Sequence, residues 1–492
     1  MAASDGEHNV PKFYGKYGFK CVCFPFILLL LFSKPAVSFS IIKSLPGFSG
    51  SLPFKLETGY IGVDKKDEVQ FFYYFIESEG NPRHDPLVLW LTGGPGCSAL
   101  SGLAFQIGPL QFSMVEYNGS LPSLTVNPYS WTKVSSIIFL DSPAGTGFSY
   151  SRTSRGSRTA DTKFACQGYD FVRKWLLSHP NFIANPLYIA GDSYSGKIVP
   201  IIVQKMSDGI EAGDSPLLNL KGYSIGNPGT DPKFDDNSRV PFAHRMAIIP
   251  DELYKFKKVE ATFHYSQKAK RSCKGEYRVI DSRNIQCAND LRAIAKCTKR
   301  INRPHILEPK CYTDFRPLNK MDENRRYLME IYGESYMSLP KYPRFGCRNY
   351  NKFLCHIWAN DIRVQKALHI RKGTVKVWIR CKIDLPYKKD VESAVSFHYY
   401  LNIKGYRALI YSGDHDFEIP YLGTQLWIKS LNLSVVDEWR PWLVDLQVAG
   451  FTRGYSNDLT FATVKGGGHT APEYMPKECY AMFRRWIFQE PL

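Results

Sequence analysis

The sequence predicts an α/β fold: a mainly parallel central sheet flanked by helices, with an inserted cap region between its two halves. Three observations support this prediction. From about residue 55 to 225, strand-like apolar runs alternate with helix-like ones. Several of the strand-like runs are continuously apolar, as befits strands covered on both faces. After about residue 355 the pattern resumes, behind a stretch of quite different composition.

In chain order, FFYYFI (71–76), LVLWLT (87–92), SSIIFLDSP (135–143) and LYIAG (187–191) read as strands, each ending in turn residues. Residues 160–179 place Phe164, Tyr169, Phe171, Val172, Trp175 and Leu176 at helical spacing. The run IVPIIVQKM (198–206) is helix-like, whereas ALIYSGD (408–414) and LTFATVKGGG (459–468) read as strands opening into loops. Residues 230–350 are rich in Lys, Arg and Asn and show only short helix-like stretches. The predicted organisation is a leader (1–38), the first half of the α/β core (39–228), an insertion or cap (229–350) and the second half of the core (351–492).

A chain of 492 residues can hold one large α/β domain with an insertion. Apolar residues at 44% and charged residues at 22% exclude an intrinsically disordered protein. The formal charge of +17 raises the question of an anionic partner, yet no block of five Lys/Arg occurs, so no nucleic-acid partner is expected. Lys12, Lys16 and Lys20 precede CVCFPFILLLLF (21–32), and small residues follow at Ala36, Ser38 and Ser40. That is the layout of a cleavable secretory signal. The apolar run falls short of the ~20 residues of a membrane span, so no membrane partner is expected once it is removed.

The cysteines fit such a route. Cys21 and Cys23 leave with the leader and ten remain, five of them in the basic insertion, where the run 273, 287, 297, 311 would add rigidity through disulfides. Neither a CxxC pair nor a Cys/His cluster occurs, so no zinc site is expected. The sequons at Asn118 and Asn432 are candidate glycosylation sites.

Chemistry concentrates in GDSYSG (191–196). A nucleophile on a tight strand-to-helix turn needs small residues two positions to either side, and Gly191 and Ser195 flank Ser193 in that way. On the α/β-hydrolase fold an acid and a histidine follow the serine in chain order. Asp414 or Asp416 supplies the acid beyond ALIYSGD, and His469 follows three glycines beyond FATVKG. The turn WLTGGPGCS (90–98) offers backbone amides at Gly93, Gly94 and Gly96, and with the N–H of Tyr194 it would complete an oxyanion hole. It lacks the GK[ST] ending of a phosphate loop, so a nucleotide site is not expected.

The motifs WLTGGPGCSALSGLAFQIGP, NPYSWTKVSSIIFLDSPAGTGFSYS, GDSYSGKIVP, IGNPGTD, YSGDHDFEIP and GGGHTAPEY resemble those of the plant serine carboxypeptidase-like proteins, across about residues 41–492. The resemblance implies a triad of Ser193, Asp416 and His469, resolving Asp416 against Asp414. It also implies an oxyanion hole of the Gly94 and Tyr194 amides and a Cys97–Cys347 bridge. Bridges 273–287 and 297–311 are expected within the insertion. No metal or organic cofactor is implied, and the location expected by resemblance is the vacuole or the extracellular space.

Peptidases of that family hold the substrate's carboxylate with an Asn in W-L-N-G-G-P-G and with two glutamates. This chain has Thr92, Gln106 and Asp192 at those places. T-G-G-P-G and G-D-S-Y-S-G resemble the family's acyltransferase branch, which moves an acyl group from a 1-O-β-glucose ester to a hydroxyl or amine. The expected partners are therefore a small-molecule donor and acceptor, with Thr92, Gly93, Gln106 and Asp192 as substrate-binding candidates. The alternative is a working carboxypeptidase.

Overall fold

The structure is a computed structural model of the chain; it describes residues 38–66, 68–254, 268–311 and 345–492. The expected leader, with Cys21 and Cys23, lies outside these residues, as does much of the expected insertion.

The central sheet has twelve strands. They are β1 (Ser38–Ile42), β2 (Leu56–Asp64), β3 (Val69–Ile76), β4 (Leu87–Leu91), β5 (Ser136–Leu140) and β6 (Tyr150–Ser151). The chain then adds β7 (Leu187–Asp192), β8 (Leu220–Gly226), β9 (Arg407–Gly413), β10 (Val435–Val444), β11 (Gln447–Tyr455) and β12 (Leu459–Val464). Spatially the order is β1-β2-β3-β5-β4-β7-β8-β9-β12-β11-β10, with β6 paired to β3. The six strands from β5 to β12 are mutually parallel. Antiparallel wings extend them: β2 and β3 on one side, β11 and β10 on the other. The sheet is thus mixed, with the expected parallel arrangement confined to its middle.

Burial explains the apolar runs. Every residue of β4, β5 and β7 is buried, because crossover helices cover both faces of a parallel sheet. Helix α1 (Asp161–Ser178) buries Phe164, Phe171, Val172, Trp175 and Leu176 from the predicted stripe. Helix α2 (Ser195–Glu211) starts directly after the Ser193 turn and buries most of its apolar residues. By contrast β10 is, among the described residues, the open rim of the sheet, with Val436, Glu438, Trp439 and Leu443 all exposed.

From the region expected as an insertion, Val240, Phe242, Ala243, Ile249, Ala269 and Ile294 form a small core with Phe417 and Leu422. Ile294 belongs to α3 (Ile285–Thr298). This core therefore packs directly against the segment that follows Asp416.

Three disulfides are present, and two expectations fail. Cys273–Cys287 forms as expected. Cys97 pairs with Cys381, not Cys347: Ser98 N donates to Arg380 O at 2.7 Å and Lys382 N to Gly96 O at 2.9 Å, which brings those two backbones side by side. Cys347 instead bridges Cys311. The expected 297–311 bridge is absent, because Cys311 is taken by Cys347 and Cys297 is left free and exposed on α3. Among the remaining free cysteines, Cys166 is exposed while Cys355 and Cys479 are buried. Such bridges are those of a chain folded in an oxidising compartment. Among the described residues, no helix is long and apolar enough to cross a membrane.

Candidate active site

Five adjacent strands, β4-β7-β8-β9-β12, end at one edge of the sheet, and the loop beyond each contributes to a single site. β4 leads to Gly93 and Gly94, β7 to Ser193, β8 to Asn227, β9 to Asp416 and β12 to His469. The C-terminal ends of parallel strands are where such sheets collect ligand-binding loops.

Ser193 adopts φ 54°, in the left-handed region that a residue with a side chain rarely enters. The neighbours hold it there. Ser193 N donates to Gly226 O at 2.9 Å, and Ser193 O accepts from Gly196 N at 2.9 Å and Gly229 N at 2.8 Å. The small fences have a steric cause: a Cβ on Gly191 would lie 2.5 Å from Leu91 O and 2.7 Å from Ser195 Cβ.

His469 Nε2 lies 2.8 Å from Ser193 Oγ, and its Nδ1 lies 2.8 Å from Asp416 Oδ2. With Nδ1–H donated to the carboxylate, Nε2 is left to accept the serine proton. Asp416 is fully buried, and it accepts from Glu418 N at 2.7 Å and from Asn227 Nδ2 at 2.9 Å. Asn227 in turn accepts from Gly413 N at 3.1 Å. Burial works against the imidazolium, but the charge of Asp416 and its hydrogen bond outweigh this and hold the His469 pKa above its ordinary value. Asp414, the alternative acid, is turned away to His415 Nδ1 at 2.6 Å and Gly466 N at 2.8 Å. Asn227 escaped the sequence reading, although IGNPGTD placed it at a strand end beside a proline; its φ of 41° is a further mark.

Gly93 packs so tightly on the nucleophile that a Cβ there would come within 2.7 Å of Ser193 Cβ and Tyr194 N. Its own N–H donates to Asp192 Oδ1 at 3.0 Å. Gly94 has φ 125°, a conformation suited to glycine. Neither the Gly94 nor the Tyr194 amide donates to a protein acceptor among the described residues. The Tyr194 hydroxyl is tied to Asp161 Oδ1 at 2.7 Å, which fixes the residue after the nucleophile.

Asp192 is buried, and its second oxygen accepts from Gln106 Nε2 at 2.8 Å. Gln106 lies in a π-helical turn, Gly102–Gln106, the kind of irregularity often found at functional sites. Its Oε1 is buried with no partner among the described residues. Burial raises the Asp192 pKa, against the lowering effects of the Gly93 N–H, His469 and Gln106. Thr92 is buried, and its hydroxyl accepts from Trp90 Nε1 at 3.2 Å. Thus Gly93, Gln106 and Asp192 form one network beside the serine, with Thr92 adjoining it in sequence. The two glycosylation candidates, Asn118 and Asn432, are exposed. Among the described residues no group of three His, Cys, Asp or Glu side chains is placed to hold a metal.

Comparison with known proteins agrees with this geometry. Residues 46–489 match the family model described as serine carboxypeptidase. The Arabidopsis thaliana protein serine carboxypeptidase-like 7 is 49% identical, over 94% of this chain and 97% of its own length. Serine carboxypeptidase-like 1 of the same plant is 51% identical, over 94% of this chain and 96% of its own. KEX1(DELTA)P, a prohormone-processing carboxypeptidase from Saccharomyces cerevisiae, shares the fold with a TM-score of 0.68 at 18% identity, covering 89% of this chain and 92% of its own.

Proposed function

The chain belongs to the serine carboxypeptidase family, and from that premise we propose that it is an acyltransferase of the secretory route, acting in the vacuole or outside the cell. It takes an acyl group from a 1-O-β-glucose ester and delivers it to an alcohol or amine. Ser193 Oγ attacks the ester carbonyl while His469 Nε2 takes its proton. The carbonyl oxygen gathers negative charge beside the Gly94 and Tyr194 amides. Collapse breaks the bond to the sugar oxygen, which receives the proton from His469 and leaves as glucose. An acceptor then gives its own proton to His469 and attacks the acyl-enzyme; collapse breaks the Ser193 Oγ–acyl bond, and the proton on His469 returns to Oγ as the product leaves.

One observation carries this choice over peptide hydrolysis: the Gln106–Asp192 pair. A glutamine amide occupies one oxygen of Asp192 and a backbone N–H the other. Two facing carboxyls that share a proton, as in the peptidases, cannot exist here, because Gln106 does not ionise. The free acceptor is Gln106 Oε1, which suits a sugar hydroxyl and repels a carboxylate. Asp192 and Gly93 act on the substrate through this arrangement. Thr92 stands where the peptidases carry an asparagine, and its hydroxyl is already engaged by Trp90.

The second reading is carboxypeptidase activity, favoured by the family itself. Purified protein is offered hydroxycinnamoyl and benzoyl glucose esters with mixed alcohol and amine acceptors, beside a blocked dipeptide with a free C-terminus. Acyl transfer with an intact dipeptide is expected. Release of the C-terminal residue without transfer product overturns the proposal.

A further inference from the structure

The short stretch Arg303–Glu308, outside the catalytic loops, touches both of them. Pro304 O accepts from the backbone N of His469 itself at 2.7 Å, and Arg303 O from Phe417 N, next to Asp416, at 2.8 Å. Ile306 N donates to His415 O at 3.1 Å. Between these, His305 is buried at 7% exposure. Its Nε2 donates to Gly466 O at 3.0 Å, and Nδ1 faces Leu307 N at 3.3 Å. The ring stacks on His415 (centroids 5.4 Å, planes 9° apart) and packs on Tyr474 at 4.7 Å.

Both ends of the stretch are fastened. Arg303 pairs with Glu418 at 3.0 Å. Glu308 receives the forked guanidinium of Arg348 at 2.6 and 2.9 Å; Arg348 also donates to Glu473 O and lies 4.0 Å over the Tyr474 ring. At their bases, the loops after β9 and β12 are joined to each other by Asp414 N to Val464 O and His415 N to Gly467 O. Beyond those bonds, the 303–308 stretch fastens the ends that carry Asp416 and His469.

We propose that residues 303–308 are a splint that sets the Asp416–His469 pair in register with Ser193, and that His305 is its main positioning residue. This rests on the serine-nucleophile reading of the site. Removing the His305 donor frees the Gly466 carbonyl, three residues before His469, and lets the imidazole drift from Ser193 Oγ. Substrate binding, which depends on other groups, is untouched.

The test uses a fluorophosphonate ester, which needs only an activated serine. The Ser193 Oγ–P bond forms, fluoride leaves, and the hydroxyl proton passes to His469. Full-length wild type, His305→Gln, His305→Asn and His305→Ala are compared, with Ser193→Ala as blank. Gln keeps a donor at the Nε2 position and should react at close to the wild-type rate. Asn, one methylene shorter, and Ala should lose about 10- to 100-fold in maximal rate, with half-saturating probe concentration and melting temperature little changed. Equal rates in all four histidine-position forms overturn the splint, and so does a loss in Gln as large as in Asn. If the Ala variant does not fold, the Gln–Asn contrast decides. A wild type inert to the probe sinks the nucleophile reading and the splint with it, whereas a reactive wild type with unaffected Asn and Ala forms sinks the splint alone.

Discussion

Ser193 is held at a positive φ that costs a side-chain-bearing residue roughly 1–2 kcal/mol. The Ser193→Gly variant should therefore lose all acyl transfer yet melt no earlier than wild type, as followed by calorimetry. Asn227 donates to the one carboxylate that orients His469. A hydrogen bond to a charged group is worth about 1.5–3 kcal/mol, so Asn227→Ala should lower kcat about tenfold or more with KM unchanged, measured with a glucose ester. Since His469 must be neutral to act as base and its pKa is held up by Asp416, activity should rise with pH through a limb above the ordinary imidazole range. A limb at or below that range would contradict the pairing. Ser193 and His469 were legible because each lies just past an apolar strand, in a turn of small residues, whereas the same position left Asp414 and Asp416 as alternatives that only the family resemblance separated. Asn227 was not, because a residue that serves another side chain leaves no spacing signal of its own. Likewise, the bond between Gln106 and Asp192 joins residues far apart in sequence, and only the fold brings them into contact.

At the scale of elements, the loop after β4 is fixed on two sides. Any Cβ on Gly93 collides with Ser193 and Tyr194, so Gly93→Ala should abolish transfer without preventing folding. On its other side, the Cys97–Cys381 bridge and two backbone hydrogen bonds tie the loop to residues 380–382. Replacing both cysteines by serine should cost roughly 2–5 kcal/mol of stability and also slow acylation; the same change at Cys273 and Cys287 should cost stability alone. Urea unfolding beside turnover separates the two effects. The pairing of Cys97 was illegible because connectivity depends on which backbones run side by side, and sequence order does not report that. Buried strands such as β4, β5 and β7 were plain from their continuous apolar runs. β10 was missed because, half in water, it mixes Asp437, Glu438 and Arg440 with its apolar residues.

For the whole molecule, buried ionisable groups pull stability in opposite directions with pH. Burial pushes Asp141 up to about 6 and Asp235 up to about 8, so each contributes stability at low pH that is lost as pH rises through those values. Burial pushes His356 down to about 4 and His398 to about 3. Their contribution is present above the unfolded histidine pKa and is lost as pH falls toward the folded values. In mildly acid solution the two sets offset each other. Above neutrality the histidines are uncharged in both states and Asp235 dominates. The melting temperature should then fall between about pH 6.5 and 8.5, and Asp235→Asn should flatten that decline.

The open rim of the sheet bears on the protein's behaviour at high concentration. An edge strand paired on one side only, with exposed Val436, Trp439 and Leu443, is a template for adding another chain. Within β10, however, Pro441 sits opposite Phe451, whose own N–H is given to Thr463 of β12. The two residues therefore exchange no backbone bonds, and the donor that proline lacks is missing from the outer rim. With Asp437, Glu438 and Arg440 nearby, the rim offers an incoming strand an interrupted ladder and charges to desolvate. The rim thus guards against fibrous self-association in a crowded compartment, and exchanging Pro441 for valine would remove much of that protection.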